Sequence, residues 1–112
     1  MGEKYVNENN EVGVLISYGF GAGWSTWNDF DWAIDKRIIE KFVELTDKKE
    51  DITYEQAKKE MGDYMESIGY NGYLGGFDGL TLEFIQQGTP IKINEYDGTE
   101  SLEIGYSEFT QL

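Results

Sequence analysis

Carboxylates are the chemically active side chains that this sequence supplies in excess. Its 112 residues include 22 Asp and Glu against nine Lys and Arg, a formal charge of −13, and no histidine or cysteine. The usual neutral-pH base, the thiolate nucleophile and the soft metal ligands are therefore all missing. Two carboxylates can hydrolyse a glycoside, but no spacing selects such a pair, and the serines have no histidine partner. We therefore expect a protein that is not an enzyme.

Two groupings of oxygen-bearing side chains could bind Ca²⁺, since that ion prefers oxygen ligands. They are Asn28, Asp29, Asp31 and Asp35, and, further along the chain, Asp97, Thr99 and Glu100. Neither grouping follows the spacing of an EF-hand loop, and helix caps or turns explain both of them. We expect no metal and no cofactor.

A glycine-rich segment precedes the first predicted helix. The run GFGAGW, from Gly19 to Trp24, lacks the last glycine of the dinucleotide-binding pattern and the Gly-Lys-Ser/Thr ending of a P-loop. A strand–loop–helix arrangement would suit anion binding by backbone N–H groups. However, aspartates crowd the start of the helix, and no Lys or Arg lies between Lys4 and Lys36. The sequence therefore disfavours phosphate binding in this loop.

Aromatic residues are concentrated in the same segment, which contains Phe20, Trp24, Trp27, Phe30 and Trp32. Three interpretations are open. The rings could fold back over the core, one or two of them could face solvent as a binding anchor, or they could line a small-molecule pocket with Asn and Asp partners. We take Trp24 and Trp27 as candidate binding residues.

The excess negative charge lies in two parts of the chain. Residues 36–70 carry nine acids and seven bases, whereas residues 1–35 have a net charge of −5 and residues 71–112 a net charge of −6. A surface this acidic repels nucleic acid and anionic lipid, and it attracts basic protein surfaces. The candidate partner-binding carboxylates are Asp29, Asp31, Glu83, Glu95, Asp97, Glu100 and Glu103.

Two explanations of this acidity stay open. The carboxylates could form a solvated surface, and acids on edge strands also discourage aggregation. Alternatively, they imitate the phosphates of nucleic acid and dock on a basic groove, so that binding is steered over a long range and weakened by salt. The second explanation predicts that Lys at positions 95, 97, 100 and 103 abolishes binding without unfolding the protein.

The hydrophobic pattern predicts the elements that position these side chains. An apolar, β-branched run from Val12 to Phe20 predicts a buried strand. Apolar residues three and four apart predict a helix over about 31–45, capped by Asn28 or Asp29.

The second predicted helix has the clearest boundaries in the chain. Thr53 followed by Gln56 fits a capping box, and Ile52 with Ala57 fits a hydrophobic staple. Gly69 follows the last apolar position and suits the residue just past a helix end.

Strands are predicted after Tyr70. Apolar residues alternate with polar ones in three stretches: Leu80, Leu82 and Phe84; Ile91 and Ile93, with Glu95 on the same face; and Leu102, Ile104 and Tyr106. The dipeptide Asp97-Gly98 predicts a two-residue hairpin turn between the last two stretches.

We therefore expect an α+β domain with the order β-α-α-β-β-β. A two-helix layer covers one face of a small antiparallel sheet, with a mixed sheet as the alternative. Residues 1–11 are expected to form a flexible arm, and residues 12–112 a single domain. No run approaches the ~20 apolar residues of a membrane span, and we find no hydrophobic signal segment. A cytoplasmic protein of a bacterial host is the expectation.

Three sequence segments carry a resemblance to known proteins. The run GFGAGWSTWN (19–28), together with Gly88-Thr89 and EYDGTE (95–100), resembles small uncharacterised phage and prophage proteins over most of residues 12–106. In size, acidity and lack of cysteine the chain is also similar to anti-CRISPR and anti-restriction inhibitors, several of which are acidic DNA mimics. This second resemblance is one of composition, and it transfers no site residue.

These observations lead to one hypothesis and two alternatives. The leading hypothesis is a non-enzymatic, phage-type inhibitor that binds a basic surface of a host protein, such as a defence nuclease or a nucleic-acid-binding protein. It would contact neither nucleic acid nor a membrane directly. The first alternative is a protein that binds or sequesters a nucleotide or sugar with the loop 19–32. A structural role in virion assembly is the second alternative.

Overall fold

The elements of the fold are given by a computed structural model, which describes residues 3–19, 21–105 and 108–112. The strands are β1 (Glu11–Ser17), β2 (Leu80–Gln86), β3 (Pro90–Tyr96), β4 (Thr99–Ile104) and β5 (Thr110–Gln111). The helices are α1 (Asp31–Ile34), α2 (Lys36–Asp47) and α3 (Tyr54–Ser67), with 3₁₀ turns at Ser25–Trp27 and Gly75–Gly79. The predicted α+β class is confirmed, and the element order follows the predicted one closely.

The strands form two sheets rather than the one that the sequence predicts. Strand β1 pairs with β2 along its whole length, and the second sheet has the order β4-β3-β5. All of these pairings are antiparallel, so the mixed alternative does not occur among the described strands. The connection from β2 to β3 therefore crosses between sheets and does not form a meander.

Strand β1 is buried on both faces, which explains why two sheets form. Leu15 packs into a cluster with the helices, together with Ile38 and Met61. The neighbouring positions Val14 and Ile16 point the other way, into a cluster that contains residues of the second sheet. Because successive side chains of a strand point to opposite faces, a continuous apolar run needs a cover on each side. The β1–β2 sheet accordingly lies between helices α2 and α3 on one side and the second sheet on the other.

The first predicted helix is interrupted at Asp35. This residue has an extended ψ of 123°, and its side chain accepts hydrogen bonds from the backbone N–H groups of Arg37 (2.8 Å) and Ile38 (3.4 Å). Asp35 is thus the N-cap of α2, because an aspartate that bonds the amides ahead of it starts a helix better than it continues one. The predicted capping by Asn28 or Asp29 is wrong, since no side chain caps α1.

Three other predicted signals for the ends of helices and strands are confirmed. The capping box of Thr53 and Gln56 is present at the start of α3, and Gly69, past its end, has a φ of 96°. Asp97 and Gly98 form the hairpin turn between β3 and β4, with φ values of 52° and 85°. Positive φ at both positions is the geometry of a type I′ turn, which matches the twist of the flanking strands. Phe20 and Tyr106, included in the predicted strands, lie outside the described residues.

The N-terminal segment lies against the domain. Tyr5 donates its N–H to the carbonyl of Ile34 (2.9 Å) and accepts from Gly13 N–H (3.0 Å), and its ring packs against the helical cluster. Lys36 N–H bonds the carbonyl of Glu3 at 2.7 Å. The flexibility of residues 1–11 stays a prediction, whereas these contacts join the described part of that segment to α1, α2 and β1.

Candidate functional site

Glu100 lies inside the protein and not on its surface. Its side chain is 0 % exposed. One carboxylate oxygen accepts the N–H of Ser17 (2.9 Å), and the other accepts the N–H groups of Trp24 (2.8 Å) and Thr26 (3.0 Å) and the Thr26 hydroxyl (2.6 Å). The prediction that Glu100 contacts a partner, and that Lys would be tolerated there, is therefore wrong. A lysine would replace four acceptor contacts with a buried cation.

These hydrogen bonds also determine the structural role of the glycine-rich loop. The sequence places a loop with free backbone N–H groups between a strand and a helix, an arrangement suited to an anion. In the structure this anion is the carboxylate of Glu100, which accepts hydrogen bonds from the N–H groups of Trp24 and Thr26. These amides are then not available to a phosphate. The loop thus joins the end of β1 to β4.

The tryptophans divide into two kinds. Trp24 is 0 % exposed, donates its indole N–H to the carbonyl of Trp32 (2.7 Å) and packs edge-on against the Trp32 ring at 4.8 Å between centroids. The prediction that Trp24 binds a partner is wrong, because no partner can reach its ring. Trp27, by contrast, is 43 % exposed.

Trp27 is stacked on Tyr73, a residue that the sequence analysis does not select. The two ring centroids are 5.9 Å apart with an interplanar angle of 21°, and Tyr73 is 58 % exposed. Asn28 fixes the backbone of Tyr73 from both sides: it donates to the Tyr73 carbonyl (2.9 Å) and accepts from the Tyr73 N–H (3.0 Å). A Cβ at Gly72 would overlap this Asn28 side chain, so glycine leaves room for the contact.

Three of the candidate carboxylates lie on the β3–β4 hairpin and are exposed. They are Glu95, Asp97 and Glu103, here called the hairpin carboxylates. Glu95 accepts the N–H of Gly98 (2.8 Å), and Glu103 accepts a hydrogen bond from the Asn94 side chain. Tyr96, between the first two, is 80 % exposed. In sequence, Glu95 and Asp97 thus flank a solvent-facing aromatic ring.

The other candidate acids lie elsewhere. Asp29 is exposed before α1, Asp31 is half-buried in its first turn, and Glu83 is half-buried on β2 opposite Val14. The structure thus separates the predicted site into the hairpin, the loop beside Trp27, and β2.

Ion pairs distinguish the hairpin from the helices. In the part of the chain that the structure describes, every ion pair takes its cation from residues 37–59. None of the seven candidate carboxylates is in one of these pairs. Lys92 lies directly opposite Glu103 in the strand register, but its ammonium group is 6.0 Å from the centroid of the Phe109 ring. Among the described residues, the hairpin carboxylates therefore form no ion pair.

A buried carboxylate also organises the start of α2. Asp35 accepts hydrogen bonds from the Tyr70 hydroxyl (2.6 Å) and the Arg37 guanidinium (3.0 Å). Burial alone would raise the pKa of Asp35, but the hydrogen bonds from Arg37 and Tyr70 lower it below its ordinary value of 3.8. Burial and the hydrogen bond to Asp35 together raise the pKa of Tyr70 to about 12. The Asp35 carboxylate therefore has a structural role, because both of its oxygens already accept hydrogen bonds.

Neither predicted oxygen grouping is arranged as a metal site. Asp35 belongs to the cap of α2 and Glu100 to the loop, as described above. Over residues 3–19, 21–105 and 108–112, no group of three or more Asp or Glu side chains is placed to hold a metal ion.

An open groove lies between the loop and the second sheet. Its volume is about 440 Å³, and it is lined by Ser25, Thr26, Phe30, Ile91, Lys92, Ile93, Glu108, Phe109 and Thr110. Clefts of this size accommodate small molecules. The groove combines two aromatic rings, hydroxyl groups, and one charge of each sign.

Comparison of the chain with protein-family models, with curated proteins and with solved structures finds no match. No helix among the described elements has the length and apolar character needed to cross a membrane.

Proposed function

We propose that this protein is a non-enzymatic inhibitor of the kind used by phages, which binds a basic surface of a host protein through its hairpin carboxylates. The observation that carries the proposal is the distribution of ion pairs: among the described residues every ion pair has a cation from residues 37–59, whereas Glu95, Asp97 and Glu103 are exposed and form no ion pair. A basic partner would supply the opposite charge that these exposed carboxylates lack within the described chain.

The geometry of the hairpin supports protein binding in two further ways. The type I′ turn fixes the backbone between Glu95 and Thr99, so the acids are presented on a rigid element. Tyr96 adds an aromatic side chain of the type enriched in interface hot spots. A basic groove that normally holds nucleic acid would offer both the positive charge and the planar surfaces that this arrangement needs. The proposed partner is therefore a nucleic-acid-binding or defence protein in the cytoplasm of a bacterial host.

Salt dependence and matched charge changes test the proposal. The hairpin variant E95K/D97N/E103K raises the net charge by five, and asparagine tolerates the positive φ of residue 97. The control E55K/E60K/E66Q raises it equally at exposed positions of α3. Both variants should keep their far-UV circular dichroism spectrum.

Capture of host proteins on each variant gives the readout. We expect the wild type and the helix variant to retain a partner at low salt and to release it at high salt, and the hairpin variant to lose it at both. Equal losses from the two variants would show that only the overall charge matters. Retention that does not depend on salt would contradict the proposal.

The groove beside the loop favours a second candidate function, the binding of a nucleotide or sugar. Ser25 and Thr110 supply hydroxyl groups, Phe30 supplies a ring, and Lys92 is the cation in the lining. A thermal-shift panel of nucleotides and sugars, with native mass spectrometry of the purified protein, tests this function. A ligand that raises the melting temperature should lose its effect in Lys92→Ala, whereas no shift across the panel and no retained ligand would contradict it.

A further inference from the structure

The aromatic pair Trp27–Tyr73 presents two rings to solvent in a fixed arrangement. Trp27 is 43 % exposed and Tyr73 is 58 % exposed, although the two rings stack on one another. Asn28 holds the arrangement, because its amide bonds the Tyr73 backbone and also donates to the carbonyl of Trp24 (2.8 Å). Trp24 is itself fully buried. The pair is thus tied to the core, and little conformational entropy remains to be lost when a partner binds it.

The charge around the aromatic pair indicates what it can bind. Asp29 follows Trp27 by two residues and is exposed, and it has no ion pair within the described residues. The chain carries a net charge of −13, so anionic ligands are repelled and cations are attracted. Aromatic faces attract cations, and the planar guanidinium of arginine stacks on them better than the ammonium of lysine.

The same combination already occurs elsewhere in the protein. The guanidinium carbon of Arg37 lies 5.9 Å from the centroid of the Tyr70 ring, while the carboxylate of Asp35 bonds the guanidinium at 3.0 Å. A ring on one side and a carboxylate at the edge therefore hold an arginine in this fold. Trp27, Tyr73 and Asp29 offer these two kinds of group at the surface, with no arginine of the described chain against them.

We propose that the Trp27–Tyr73 pair is the docking point for an arginine side chain of the basic partner protein, with Asp29 as its counter-charge. This proposal rests on the proposed function, since it names the side chain that the partner contributes. The hairpin carboxylates would attract any basic surface, whereas the aromatic pair selects arginine over lysine.

Two labelled peptides of equal length and charge, one with arginine and one with lysine as the only basic residue, test the selection. Fluorescence anisotropy at low salt gives their affinities for the full-length protein. A cation–π contact at an exposed site changes affinity by about two- to five-fold, and the preference for arginine should fall within that range because its planar guanidinium stacks better than an ammonium group. We expect this preference in the wild type, and its loss in Trp27→Ala and in Tyr73→Ala without a comparable loss of lysine-peptide binding.

Matched variants separate stacking from a general effect on the surface. Tyr73→Phe keeps the ring and should keep the preference, and Phe84→Ala, which removes an exposed ring of β2, should also leave it unchanged. Asp29→Asn should weaken both peptides, and the arginine peptide more. Far-UV circular dichroism checks that each variant is folded.

The outcomes distinguish the two proposals. Equal binding of both peptides, weakened by salt, would overturn the selection of arginine and leave the acidic docking surface intact. No binding of either peptide would contradict the proposed function as well. An arginine preference that survives both Trp27→Ala and Tyr73→Ala would place the selection elsewhere on the surface.

Discussion

The hydroxyl of Thr26 and the carboxylate of Glu100 meet at 2.6 Å, although 74 residues separate them in the chain. The same carboxylate oxygen also accepts the Thr26 and Trp24 N–H groups, and its neighbour accepts the Ser17 N–H. One buried side chain thus joins β1, the glycine-rich loop and the hairpin. The position of Trp27, which follows Thr26 directly, depends on this cluster.

Replacing Glu100 with alanine should destabilise the protein by about 3 kcal/mol or more, because three buried backbone N–H groups lose their acceptor. Glu100→Gln should cost less, since its carbonyl oxygen can still accept on one side. Urea denaturation followed by circular dichroism measures both. Glu103→Ala, an exposed position on the same strand, should change stability by less than about 0.5 kcal/mol. An equal loss of unfolding free energy in Glu100→Ala and Glu103→Ala would contradict the role of Glu100 as the buried acceptor.

Replacing Gly98 with alanine should separate the hairpin tip from the loop. The φ of Gly98 is 85°, and a Cβ there would overlap the backbone of Gly21 and Ala22. We expect a loss of about 3 kcal/mol, from the steric overlap and the left-handed backbone together. Gly88, with a φ of 92° and open space around it, is the control, and alanine there should cost only about 1 kcal/mol. Similar melting temperatures for the two variants would show that the close approach of Gly98 to the backbone of Gly21 and Ala22 does not contribute to stability.

Removing the Asp35 carboxylate should weaken the start of α2. Asp35→Ala loses the cap and the acceptor for Tyr70, and we expect a cost of about 2 kcal/mol at neutral pH. The folded-state pKa of Asp35 lies below 3.8, so its contribution is present above that pH and is lost as the pH falls through the lowered value. The difference between wild type and Asp35→Asn should therefore shrink in acid. Urea midpoints at neutral and acidic pH measure it, and a constant difference would contradict the assignment.

The stabilising contribution of Tyr70 should be lost at alkaline pH. Its folded-state pKa is raised to about 12 from 10.0, so it contributes stability below pH 10 that is lost as the pH rises from 10 towards 12. Tyr70→Phe should be less stable than wild type at neutral pH by about 1 kcal/mol, and the difference should narrow in that alkaline interval. An absorbance titration of tyrosinate should show one late-titrating group in the wild type that the variant lacks.

Local signals in the sequence predict the ends of elements well. Thr53 with Gln56, Gly69, and Asp97-Gly98 each act through neighbouring residues, and each is found where the sequence places it. Asp35 shows the limit of this approach. Apolar residues continue at helical spacing on both sides of Asp35, so the sequence pattern predicts one helix. The pattern does not reveal that Asp35 caps α2 and separates it from α1.

The burial of Glu100 could have been inferred from alternation. Glu100 is two residues before Leu102 and therefore shares its face, which packs against β1. Its acidity suggested a surface position, whereas four donors contributed by β1 and the loop make burial favourable. Those donors lie more than seventy residues away in the sequence, and no local sequence pattern predicts them.

The separation into two sheets and the stacking of Tyr73 on Trp27 have the same origin. Both depend on contacts between segments that are distant in sequence, such as Asn28 with the backbone of Tyr73. Sequence patterns predict which residues are apolar and where turns occur, but not which strand pairs with which.

The pairing of β1 with β2 has a consequence for how the chain folds. The partners of Glu11–Ser17 arrive more than sixty residues later, so the loop-closure entropy must be overcome before the central strand gains its contacts. Until then, a strand that is apolar on both sides has no pairing partner along its length, and its face towards the second sheet lacks the residues of that sheet. Helices α2 and α3 can form earlier, from local contacts. Folding should therefore be limited by the docking of residues 80–104, and a chain interrupted before Leu80 should aggregate through β1.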